Sequence, residues 1–215
     1  MTDNKNKTPQ KKSDITRERI LTAATKVFSK ESYLAASIRM IAKEGEFDHG
    51  IIRYYYPSKA SLFIAVSEKI CGEILEETPA WFEAIEPEMT PEDGFSAYLD
   101  CFLQYSFENP NAFRIIMQNI PQDEKNDPTP GYDQMIDLLA SSRLVFEEKI
   151  PMTATTNEIS MFINCFNTVV FNYIGSSSSQ ARLIDMNPDS REYREWVKET
   201  LIFIFLPKLK FLTGI

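Results

Sequence analysis

Apolar residues in this chain recur at i, i+3, i+4 and i+7 between prolines and capping residues, while the alternating pattern of half-buried strands is scarce. That spacing lays one apolar stripe along each helix, so the chain reads as all-α. Thr16 is placed to cap a first helix carrying Ile20, Leu21, Ala24, Val27 and Phe28 and ending near Glu31. Ser37 caps a short second helix with Ile38, Ile41 and Ala42 inward. A turn at Gly45-Glu46-Phe47 and the cap Asp48 open a third. Pro57-Ser58-Lys59 starts a fourth, whose stripe of Leu62, Val66, Ile70 and Ile74 runs to about Glu77. Its length predicts a strut into a second domain.

Beyond Pro79, five more helices are predicted to start at Thr90-Pro91, Asn109-Pro110, about Gly131, Thr156 and Asn187-Pro188-Asp189. Residues 121–130 and Ser176 to Ser179 read as exposed loops. The last helix holds Leu201 to Leu206, apolar all round, and Pro207 should kink or end it.

Composition excludes several classes of function. Seven glycines never cluster, so no phosphate-cradling loop exists. Three cysteines at Cys71, Cys101 and Cys165 fit no metal or disulfide spacing, which points to a reducing compartment. The lysine-bearing start lacks an apolar stretch after it, and no window of about 18 uncharged apolar residues occurs. Neither export nor a membrane span is expected. The single histidine, His49, has no second ligand or base nearby, so no metal, cofactor or catalytic site is expected.

The overall charge of −8 argues against an acidic partner, but it is unevenly spread. Residues 1–70 carry 13 Lys+Arg against 8 Asp+Glu, net +5; residues 71–215 carry 10 against 23, net −13. A basic helical unit on an acidic one suits binding a polyanion at one end. On charge alone, a solubilising lysine tail explains the split equally well.

Residues 37–56 settle the matter, because two short helices joined by a tight turn make a helix-turn-helix whose second helix enters the major groove. Arg19-Ile20-Leu21, Ala23-Ala24, Val27-Phe28, Ser37-Ile38, Ile41-Ala42, Gly50, Tyr54-Tyr55-Tyr56 and Pro57-Ser58-Lys59 with Leu62 resemble the tetracycline-repressor (TetR) family. The resemblance covers roughly residues 14–74; beyond it the chain shares only helicity and two apolar final helices. It implies a cytoplasmic bacterial regulator that binds a palindromic DNA operator as a homodimer and responds to a small effector. It also divides the chain into a disordered basic arm (1–13), a DNA-binding domain (14–74) and an effector-binding and dimerisation domain (75–215).

Residue roles follow from the resemblance. Ser37 caps its helix, and whether it also offers a phosphate its hydroxyl and amide stays open. Lys59 is expected to hold a phosphate. Tyr54 and Tyr55 lie along the groove, one of them turned to the core. His49 and Ile51 are counted among the DNA-facing residues, Ile51 toward a thymine methyl. Arg53 reads a guanine, clamps a phosphate or pairs with Glu46 or Asp48. Glu46 stands where the family commonly has Gly, and it is expected to point to solvent.

In the second half, Tyr98, Phe102, Tyr105, Phe113, Met117, Asn164 and Thr168 are the candidate effector pocket. The polar line Asn164, Thr168 and Asn172 fits a ligand, a partner helix or plain exposure. Phe166, Val170, Tyr173, Leu201 and Phe205 are the candidate dimer interface, since one core cannot cover the run 201–206. Two other readings compete with a repressor released by a mostly apolar effector. One is an adaptor of the same fold without specific DNA binding, which Glu46 and Ile51 suggest. The other is an all-helical enzyme, which has no nucleophile beside a base.

Overall fold

Six helices begin where a short polar side chain takes up a free backbone amide. The computed structural model describes residues 9–119 and 129–214. In it Ser37 caps α2 (Ile38–Gly45), Asp48 caps α3 (His49–Tyr55) and Ser58 caps α4 (Lys59–Glu83). Thr90 caps α5 (Pro91–Glu108), Thr155 caps α8 (Thr156–Gly175) and Ser190 caps α10 (Arg191–Thr213). The others are α1 (Pro9–Phe28), α6 (Pro110–Asn119), α7 (Tyr132–Lys149) and α9 (Ser177–Leu183). No strand occurs among the described residues, and no helix there is long and apolar enough to cross a membrane.

The N-terminal unit is built by α1 packing across α2 and α4, with α3 held on α2. The long α4 then runs into the second half, where it meets α5 and α7, while α10 packs on α5 and α8 and α6 packs on α8. Buried residues continue without a break from Phe28 and Phe63 through Ile70 and Ile74 to Trp81, Phe102 and Phe166. Gly131 opens α7 at φ 84, a left-handed conformation, and its Cα lies so close to Ser67 of α4 that a side chain there would collide.

Several expectations need correction. Helix α1 starts at Pro9, so Thr16 lies within it and residues 9–13 of the expected arm are helical; residues 1–8, with Lys5 and Lys7, lie outside the described residues. Of the loop predicted over 121–130, residues 121–128 lie outside them too. Helices α4 and α10 continue past Pro79 and Pro207, so neither proline ends its helix. Both prolines sit on solvent-facing sides, where the carbonyl four residues earlier can turn to water instead of the missing N–H. The serine run 176–179 opens helix α9, held on the core by the buried Ser177 and Ala181.

Candidate DNA interface and ligand cavity

The turn between α2 and α3 is made by backbone geometry as much as by side chains. Glu46 ends α2 at φ 55, with its N–H donated to the carbonyls of Ala42 and Lys43 and its side chain exposed, as expected. A left-handed glutamate costs roughly 1–2 kcal/mol relative to right-handed backbone, which is why glycine suits this position. Asp48 then accepts the Gly50 amide at 2.7 Å. A Cβ on residue 50 would lie 2.9 Å from that carboxylate oxygen, so glycine leaves the cap room.

Helix α3 is anchored by the fully buried Ile52 and by Tyr56, 3% exposed, which follows its last turn. Its opposite face carries Ile51 at 42% exposure, Arg53, and Tyr54 at 82%. Tyr55 is half-buried and sets its ring edge-on to Tyr54, with centroids 5.2 Å apart. His49 is half-buried at the start of α3, and Arg53 makes no ion pair with Glu46 or Asp48 among the described residues. Ser37 accepts the Met40 amide at 3.3 Å and stays half-buried.

Lys59 does something other than expected. Its ammonium donates to the carbonyls of Tyr33 at 2.7 Å, Ala36 at 2.9 Å and Leu34 at 3.4 Å, and lies over the Tyr33 ring. All three donors are spent on the loop between α1 and α2, so the residue fixes the start of α2 rather than offering itself to a phosphate. One further contact escapes the sequence. The Arg17 guanidinium donates through Nε to the Tyr56 hydroxyl at 3.1 Å, tying α1 to the end of α3, and nothing in the spacing of residues 39 apart signals it.

In the second half, α4, α5, α6, α7 and α8 line an apolar cavity of about 60 Å³. Of the residues expected at an effector pocket, Tyr98, Phe102 and Phe113 line this cavity, together with Trp81, Phe146 and Phe166. The other predicted pocket residues do not. Tyr105 packs against the Trp81 ring, Met117 packs against Gly175, and Asn164 and Thr168 point outward from α8. Polar groups are few. Thr78 and Ser142 spend their hydroxyls on the carbonyls of Ile74 and Leu139, leaving the Tyr98 hydroxyl and the Asn167 amide without hydrogen bonds among the described residues. Burial pushes the Tyr98 phenol well above its ordinary value, so it stays a neutral donor.

The expected dimer residues are mostly turned inward. Phe166, Val170, Leu201 and Phe205 are buried in the protomer, with the Phe205 ring centroid 5.2 Å from that of Phe166, and Tyr173 is half-buried. The apolar groups that α8 and α10 leave exposed are Met161, Phe203, Ile204 and Phe211. Among the described residues no three His, Cys, Asp or Glu side chains gather where a metal ion could sit.

Residues 20–66 match the family model of bacterial regulatory proteins of the tetR family. That N-terminal region is therefore of the TetR type. Over 58 residues the chain is 45% identical to the HTH-type transcriptional repressor NicS of Pseudomonas putida, a stretch that spans 27% of either protein. Solved structures extend the likeness of fold along nearly the whole molecule. The hemolysin II transcriptional regulator HlyIIR is 20% identical with a TM-score of 0.57, covering 94% of this chain and 98% of that one. The TetR family transcriptional regulator PfmR of Thermus thermophilus is 16% identical with the same TM-score, covering 87% and 97%.

Proposed function

We propose that this TetR-family protein is a DNA-binding transcriptional repressor that acts as a homodimer on a two-fold symmetric operator and is released by a small, mostly apolar effector. The observation that carries this reading is the split of α3 into a buried anchor, Ile52 with Tyr56 behind it, and an outward face of Ile51, Arg53 and Tyr54. A short helix held in this way presents three side chains of complementary chemistry to base edges: an aliphatic group for a thymine methyl, a guanidinium for guanine or phosphate, and a phenol. Ser37, His49 and Tyr55 flank that face and are assigned to backbone contacts. The repressor NicS, similar over the same region, favours repression over activation.

Residues 14–74 are assigned to DNA binding and 75–215 to effector binding and dimerisation. The outer faces of α8 and α10, with Met161, Phe203, Ile204 and Phe211, supply apolar surface for an isologous two-fold contact. That symmetry sets two α3 helices against successive major grooves, roughly 34 Å apart. Release then requires an effector that binds better to the dimer whose α3 helices are wrongly spaced. Two elements join the cavity to the DNA-binding unit: α4, from Trp81 back to Lys59, and α6, from Phe113 to Asn119. Selection of bound sequences from random duplexes, followed by a search for compounds that release them, tests the proposal. It expects a palindromic consensus and at least one releasing compound; retention of every sequence alike would overturn it.

A further inference from the structure

The 60 Å³ cavity is too small to be the whole effector site, since ligand pockets of drug-sized molecules run to roughly 300–1,000 Å³. A second space adjoins it. At the end of the protein remote from α3 lies a cleft of about 650 Å³, between the α4–α5 connection, the segment after α7 and the end of α10. Ile85 and Met89, Ile150 and Pro151, and Leu209 and Thr213 form its sides. Phe82, Phe95, Tyr98 and Phe146 line both spaces, so these four rings are the floor of the cleft and the roof of the cavity. The Phe82 and Tyr98 centroids are 4.9 Å apart and those of Phe82 and Phe146 6.1 Å, a partition one ring thick.

The rim of this cleft is acidic. The segment from Glu83 to Asp93 holds Glu83, Glu86, Glu88, Glu92 and Asp93 and no Lys or Arg. Asp93 is engaged by the Thr90 hydroxyl, and Glu92 lies 3.7 Å from Lys210. Glu86, which lines the cleft, has no ion-pair partner among the described residues. Lys149, the one cation in the lining, lies 3.9 Å from Glu148. The uncompensated charge at the mouth is therefore negative, above a floor of aromatic rings whose π faces attract cations.

We infer that this cleft is the main effector chamber and that it takes a lipophilic monocation, with an apolar body on Phe82, Phe95, Tyr98 and Phe146 and a protonated amine beside Glu86. The 60 Å³ cavity receives only the apolar tip, once the rings move apart. The assignment rests on the proposed effector response and specifies its site and ligand class. It also brings the ligand against Leu209 and Thr213, near the end of a helix assigned to dimerisation, and against the last turn of α4.

The test is calorimetric titration of the full-length protein, without DNA, with phenylbutylamine, phenylbutanol and phenylbutanoate. The amine should bind about fivefold more tightly than the alcohol, the value of an exposed ion pair, and the anion most weakly. Glu86→Gln should bring the amine to the level of the alcohol, and added salt should shrink the same difference. Met89→Trp should block all three ligands by filling the cleft. Alcohol or anion binding as tightly as the amine, an unchanged Glu86→Gln, full binding by Met89→Trp, or no binding of any of the three would each overturn the assignment. Operator binding by the same ligand-free samples reports separately on the regulatory reading.

Discussion

The Asn119 side-chain oxygen accepts the backbone N–H of Tyr33 at 2.9 Å, while its amide nitrogen donates to the Ile115 carbonyl at 2.7 Å. The two residues lie 86 positions apart, and Asn119 is 1% exposed. One residue earlier, Gln118 donates to the Ser29 carbonyl at 3.2 Å. The end of α6 thus grips the loop that leads into α2, and six residues back on the same helix Phe113 lines the apolar cavity. Under the proposed effector response, a shift of α6 would reach that loop through these bonds.

Asn119→Ala removes the acceptor for a partly buried amide, so it should cost about 1–3 kcal/mol of stability. For a chain of this size that lowers the melting temperature by roughly 2–4 °C per kcal/mol. The same variant should respond less to effector, because α6 no longer pulls on Tyr33. Thermal melts read the first effect and operator binding with and without effector reads the second. A variant that melts earlier but keeps its full effector response would remove Asn119 from the route.

Lys59→Met should loosen the segment from Tyr33 to Ala36 and lower stability, since three carbonyls lose their charged donor. Its operator affinity should fall through misplacement of α2, with the slope of log affinity against log salt unchanged. A slope shallower by about one would return Lys59 to the phosphate contacts.

Glu46→Gly should stabilise the protein. Relief of the left-handed glutamate at φ 55 outweighs the extra chain entropy of glycine by about 0.5–1 kcal/mol. A denaturant midpoint lower than that of the parent would contradict this account of the turn.

Phe203, 82% exposed, and Phe205, 4% exposed, make opposite predictions although only two positions separate them. Phe203→Asp should give folded monomers by light scattering. Phe205→Asp should lose the fold, because its ring packs on Phe162 and Phe166. A dimer that survives Phe203→Asp would move the interface off α10.

The contrast between these two residues marks where the sequence stops being legible. Ser37, Asp48 and Ser58 announce α2, α3 and α4 because a cap is a local device, read within three residues of itself. The helix-turn-helix can be placed for that reason. The run from Leu201 to Leu206 is apolar on every side, and only packing against α5 and α8 decides that Leu201 and Phe205 turn inward while Phe203 turns out. Lys59 defeats a reading of the sequence for a related reason: its partners at Tyr33, Leu34 and Ala36 carry no side-chain signal, since the contacts are backbone carbonyls. The cleft at the end of α10 joins residues 85–91, 149–151 and 209–213, a convergence that no periodicity encodes.

The central claim is that the outer face of α3 reads DNA, and fluorescence anisotropy with a selected duplex tests it most directly. The account predicts saturable binding of one dimer that weakens linearly in log affinity with log salt. Arg53→Ala should lose about 1–3 kcal/mol mainly at one base pair, and Tyr54→Ala should lose affinity with an unchanged melting temperature. Parent protein that binds selected and scrambled duplexes alike, or variants at Arg53 and Tyr54 that bind the selected duplex as the parent does, would contradict it.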